Sequence, residues 1–70
     1  MTEQELRMAL ERFASKPDDA LENAEVSAAF LHISQRTLRY HAKIPRVYIT
    51  PSRYNYRVGV LRKIAREGGV

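Results

Sequence analysis

The spacing of apolar residues along this chain changes from helical to alternating and back, and those changes divide it into elements. Leu6, Leu10 and Phe13 share one helical face, preceded by Thr2 and Glu5 in a capping-box arrangement. This predicts a helix from about residue 3 to about residue 15, a scaffold stripe over the core. Lys16-Pro17-Asp18-Asp19 ends it with a turn, because proline disfavours helix in the residue before it and aspartate suits turns. A second helix starts at Asn23 or Ala24, with Asn23 as its cap and Glu25 near the positive end of its dipole, and runs to Leu31. Ser27, Leu31 and Ala24 lie on one side of it, with Ala28 and Phe30 beside them.

His32 and Ile33 form a very short connection, after which Ser34 caps a third helix from Gln35 to about Lys43, stopped by Pro45. Leu38 anchors this helix inward, with His41 or Ala42 one turn later. Gln35, Arg36, Arg39, Tyr40 and Lys43 are left on one broad outer face that carries no acid. Beyond Pro45 the period becomes two. Val47 and Ile49 point inward and Arg46, Tyr48 and Thr50 outward; Thr50-Pro51-Ser52-Arg53 turns the chain, and Tyr54, Tyr56 and Val58 alternate again. The prediction is a β-hairpin tipped by Ser52 and Arg53 that packs on the helices through Val47, Ile49 and Tyr56. A last helix from Val60 to about Arg66 sets Leu61, Ile64 and Ala65 on one side and Arg62, Lys63 and Arg66 on the other, and Gly68 and Gly69 stop it.

Composition narrows what such a chain can do. Seventy residues, 44% of them hydrophobic and 29% charged, suit one small folded domain with little room for an enzyme pocket. The absence of cysteine excludes disulfides, thiolate zinc sites and cysteine nucleophiles, and fits a reducing, cytoplasmic setting. The longest uncharged stretch, Val26 to Gln35, is about half of a bilayer span.

Charge changes the picture most when divided along the chain. Residues 1–31 hold three basic residues and seven acids, for −4, whereas residues 32–70 hold nine basic residues against Glu67 alone, for +8. A polyanion is the partner that such a half invites, and without a long apolar helix face for a membrane surface, nucleic acid leads. His32 and His41 form no spaced ligand set, and no catalytic triad, phosphate loop or acidic pair is evident. The expectation is therefore a non-enzyme without metal or cofactor.

Helix, turn, helix, hairpin, helix is a winged helix-turn-helix plan, mainly α with a small β-hairpin. The run Ser34-Gln35-Arg36-Thr37-Leu38-Arg39-Tyr40 resembles the start of the recognition helix in the MerR superfamily, in which a tyrosine–arginine pair closes the wing, as Tyr56-Arg57 does here. The chain looks most like the minimal members, the excisionases or recombination directionality factors and the AlpA-type regulators. The likeness runs from about Ala24 to about Ile64 and leaves residues 1–16 as an accessory helix, with 24–43 as the helix-turn-helix, 46–58 as the wing and 59–67 as the closing helix. In two places the chain departs from the pattern: His32 stands where glycine is common in the turn, and Ser27 where a branched aliphatic residue usually points inward.

The resemblance implies a sequence-specific factor on double-stranded DNA, which binds near an attachment site, bends the DNA and directs an integrase towards excision. Its partners would be DNA, the integrase and neighbouring copies of itself. Gln35, Arg36, Arg39, Tyr40 and Lys43 would face the major groove, with Arg36 and Arg39 as the leading base readers. Ser34 would cap the helix and meet a phosphate, and Arg53 would reach the minor groove or backbone with Arg46 and Tyr54 on its flanks. Tyr48 and Tyr56 read as packing residues. A transcriptional regulator would use the same face, and a phage-assembly adaptor would carry acids or apolar residues there instead.

Overall fold

A computed structural model describes residues 2–40 and 44–68 as four helices and a small antiparallel sheet, mainly helical. The elements are α1 (Glu3–Ala14), β1 (Leu21–Glu22), α2 (Ala24–Leu31), α3 (Gln35–Tyr40), β2 (Val47–Thr50), β3 (Arg53–Arg57) and α4 (Val58–Arg66). The expected end of the third helix at His41, Ala42 and Lys43, and the stop at Gly69, lie outside the described residues.

Local chemistry sets most of the boundaries. The Thr2 hydroxyl oxygen accepts the Glu5 N–H at 3.1 Å at the start of α1. Asn23 Oδ1 accepts the Val26 N–H at 2.8 Å, and Ser34 Oγ accepts the Thr37 N–H at 3.0 Å, so both expected caps satisfy first-turn donors. Between α2 and α3, His32 adopts left-handed backbone (φ 59°, ψ 39°). Its N–H reaches Ala29 O and the Ile33 N–H reaches Ala28 O, a Schellman closure in which histidine takes the place of the usual glycine.

The core joins every helix to the sheet: Ala9 and Phe13 of α1, Val26 and Ala28 of α2, Leu38 of α3, Ile44, Tyr56 of β3, and Val58 and Leu61 of α4. Phe13 stacks on Phe30 with ring centroids 4.3 Å apart. Because Ala9 and Phe13 sit in this cluster, α1 completes the core. Ser27 is fully buried as well, and its hydroxyl donates to Asn23 O at 2.6 Å, so the polar residue on the inward face of α2 leaves no unpaired hydroxyl. Val26, more than Leu31 or Ala24, is the apolar anchor of that helix.

The sheet differs from the expected hairpin in two respects. Leu21–Glu22 adds a third strand, pairing Leu21 with Arg57 and Glu22 with Tyr56, so the strand order is β1-β3-β2 and β3 is central. A strand of two residues has no period from which to foresee it. The hairpin also packs less of its first strand than expected. Tyr56 is buried as foreseen and Val47 is half-buried, but Ile49 is 59% exposed beside a bulge, as exposed as Tyr48, which lies opposite Tyr54.

The last helix begins at Val58, directly from β3 and two residues ahead of expectation. The stretch before β1 makes this abrupt start stable: Ala20 O accepts the Val58 N–H at 2.9 Å and Asp18 O the Gly59 N–H at 3.0 Å, which satisfies two first-turn donors. A Cβ at Gly59 would lie 2.9 Å from Asp18 Cβ, so this approach requires glycine. Leu61 is buried and Ile64 half-buried as expected, but Ala65 is exposed. Arg62 turns inward instead of outward. Its guanidinium pairs with Asp18 at 2.7 Å, donates to Phe13 O at 3.0 Å and lies over the Phe13 ring, so it caps the carbonyl end of α1. Lys16 pairs with buried Glu22 at 2.7 Å, and Glu22 also accepts the Asn23 N–H.

Candidate nucleic-acid interface

α3 reaches the core through Leu38, which has no exposed surface. Gln35, Arg36, Arg39 and Tyr40 are exposed around it, and no acid occurs in the helix. The Arg36 guanidinium lies 6.0 Å from the centroid of the Tyr40 ring one turn later, and Tyr40 itself is 72% exposed. Ser34 is exposed at the head of the helix, with its hydroxyl already donating to Thr37 Oγ1 at 2.9 Å. Lys43 lies outside the described residues.

Beside α3, the hairpin carries a ladder of tyrosines. Tyr48 and Tyr54 are 5.5 Å apart between ring centroids, and Tyr54 meets Tyr56 edge-on at 5.8 Å. An open cleft of about 440 Å³ separates helix from hairpin and is lined by Arg39, Tyr40, Ile44, Pro45, Arg46 and Tyr48. Arg46 does not project freely from it: Nη2 donates to Arg39 O, and the guanidinium lies 4.6 Å from the Tyr54 ring centroid. The Tyr48 side chain, through hydrogen bonding, holds the Arg46 guanidinium further towards its charged form. Arg53 opens β3 after the Pro51-Ser52 turn and is exposed, whereas Tyr54 is half-buried in the ladder.

The site residues named from sequence thus fall into three settings. Gln35, Arg36, Arg39 and Tyr40 share the exposed surface of α3, Arg46 and Tyr54 are packed against each other between helix and hairpin, and Arg53 stands exposed on the hairpin. Tyr48, read as a packing residue, is 59% exposed and lines the cleft. Its exposure follows the outward position that the alternation gives it, and across the strand it meets Tyr54. Among the described residues, the ion pairs use Lys16 and Arg62, which leaves Arg36, Arg39 and Arg53 outside them.

Tyr56 closes the tyrosine ladder at its buried end. Its hydroxyl is buried and has no hydrogen-bond partner among the described residues, and burial first, then Tyr54, pushes its pKa above the ordinary value of 10.0. A raised folded-state pKa means a stability contribution that is present below about pH 10 and lost as pH rises through the folded value. Tyr56→Phe is expected to stabilise the fold by about 1 kcal/mol at neutral pH, since it removes a buried hydroxyl with no partner among the described residues, and to flatten the alkaline decline. Thermal melts of both proteins at about pH 7 and pH 11 measure this; a Phe variant that melts lower at neutral pH would show that the hydroxyl is in fact satisfied.

Elsewhere, a second open cavity of about 340 Å³ is lined by Leu10, Phe13, Ala14, Ala29, Phe30, His32 and Arg62. Among the described residues, no group of three or more His, Cys, Asp or Glu side chains is placed to hold a metal ion, and no helix is long and apolar enough to cross a membrane. Compared with known protein families, curated proteins and solved structures, the chain matches none.

Proposed function

We propose that the chain is a sequence-specific double-stranded DNA-binding protein of the winged helix-turn-helix type, with α3 as the recognition helix and β2–β3 as the wing. The observation that carries the reading is the surface of α3, where Gln35, Arg36, Arg39 and Tyr40 stand exposed with no acid among them, next to a hairpin that presents Arg53. Arginine can hold guanine O6 and N7 with two hydrogen bonds and glutamine can do the same for adenine N6 and N7, so the helix has the donors that a major-groove edge demands. Arg53 is suited to a phosphate or to the negative potential of a narrow minor groove.

At finer grain, we propose an excisionase or recombination directionality factor, which binds beside an attachment site, bends the DNA and promotes integrase-mediated excision of a mobile element. A surface this small gives useful specificity through cooperative binding at adjacent sites. A small AlpA-type regulator would read DNA with the same residues. The second reading by class is a protein-interaction adaptor, and the exposure of Tyr40, Tyr48 and Ile49 is the observation that favours it, since such an adaptor needs apolar surface.

A mobility-shift titration separates the classes, using random duplex and duplex from the element that encodes the chain at two salt concentrations. The DNA reading expects both to bind at low salt, the element's DNA more tightly. Arg53→Ala is expected to weaken both duplexes evenly, by on the order of 1 kcal/mol, as loss of a backbone contact does. Failure of every duplex to bind at low salt leaves the adaptor.

A further inference from the structure

We propose that Arg46 is a positioning residue, a strut that fixes the hairpin against the end of α3 so that both meet a duplex as one rigid surface. The proposal rests on the DNA-binding reading above and departs from it at one point: Arg46 acts on DNA through Arg39 and the hairpin and is not itself a phosphate contact.

Three contacts carry the argument. Arg46 Nη2 donates to Arg39 O, in the last described turn of α3. The same guanidinium puts its carbon 4.6 Å from the Tyr54 ring centroid. Tyr54 in turn meets Tyr56, which is 1% exposed in the core, so the chain of contact runs from the helix through Arg46 and two tyrosines into the centre of the molecule. Among the described residues α3 buries one side chain fully, Leu38, and it packs on α2, so contacts such as that of Arg46 are what tie it to the hairpin.

The chemistry requires arginine. A planar guanidinium can stack on a ring through its face while its edge donates to a carbonyl; a lysine ammonium is a strongly hydrated point charge that keeps the charge without that pairing of face and edge. Arg46→Lys therefore distinguishes a strut from a phosphate contact. A phosphate contact survives as lysine, and a strut does not.

The test compares wild type, Arg46→Lys, Arg46→Ala, Arg53→Ala and the Arg46→Ala/Arg53→Ala double variant, by backbone NMR relaxation without DNA and by duplex titration across salt. Melting temperatures confirm that each variant is folded. The expected result is lower order parameters for the amides of residues 47–57 in both Arg46 variants, and an affinity loss of roughly tenfold in both. The salt slope should be unchanged, and the Arg46 substitution should cost little once Arg53 is gone, because the hairpin then has less to place. Unchanged relaxation, full rescue by lysine, or a salt slope shallower by about one with additive losses would overturn the strut. Should wild type bind no duplex, the functional reading fails, while the relaxation data still decide whether Arg46 holds the hairpin.

Discussion

Phe13→Ala is expected to cost about 3–5 kcal/mol, the usual range for removing a buried phenylalanine. At roughly 0.05–0.15 kcal/mol per residue, a domain of this size has only about 3.5–10 kcal/mol in total, so the variant should be largely unfolded or close to it. Phe13 is 2% exposed, stacks on Phe30 at 4.3 Å and lies under the Arg62 guanidinium, so its loss opens a cavity between α1 and α2 and removes the ring on which Arg62 rests. Met8→Ala, on the 49% exposed side of the same helix, should change stability by less than about 0.5 kcal/mol. Urea unfolding followed by circular dichroism measures both. A wild-type midpoint for Phe13→Ala would mean that α1 does not complete the core.

The largest effect on binding is expected from the arginines of α3. Arg36→Ala and Arg39→Ala should each remove about 1–3 kcal/mol of discrimination between preferred and random duplex, the worth of a well-aligned two-bond contact to guanine. Both side chains are exposed, so the melting temperature should stay close to that of wild type. Arg39→Ala is a clean probe because Arg46 is bonded to the Arg39 backbone carbonyl, which the substitution leaves in place. In Arg36→Ala the Tyr40 ring loses its overlying guanidinium, and the variant therefore reports the pair. The measure is the ratio of affinities for the two duplexes at one salt concentration. Equal losses on both duplexes would move these arginines from base readers to backbone contacts.

What was legible in the sequence is what short-range chemistry decides. Asn23, Ser34 and His32 act within three to five residues of themselves, and the structure finds each where its type and spacing put it. The exposed surface of α3 was legible for the same reason, since one buried leucine at helical spacing fixes which residues face out. The packing of the hairpin was legible only in part. Tyr56 is buried as the alternation predicts, but Ile49 is exposed where the register shifts between Tyr48 and Thr50, and a bulge leaves no trace in the period. Arg62 and Arg46 were read as free cations because their partners are out of local reach: Asp18 is 44 positions from Arg62, and Arg46 is held by a backbone carbonyl and a ring face, which leave no trace in charge counting. β1 depends wholly on pairing with β3 and is too short to carry a pattern.

The central claim is that the basic half of this chain, led by α3 and the hairpin, binds duplex DNA. Fluorescence anisotropy of the wild-type protein with a labelled duplex, titrated from about 50 to about 200 mM salt, tests it most directly. The expected result is binding that weakens along a straight line of log affinity against log salt, with a slope of about −0.9 for each phosphate neutralised and a line shallower by about one in Arg53→Ala. No binding at the lowest salt, or an affinity indifferent to salt, would contradict it.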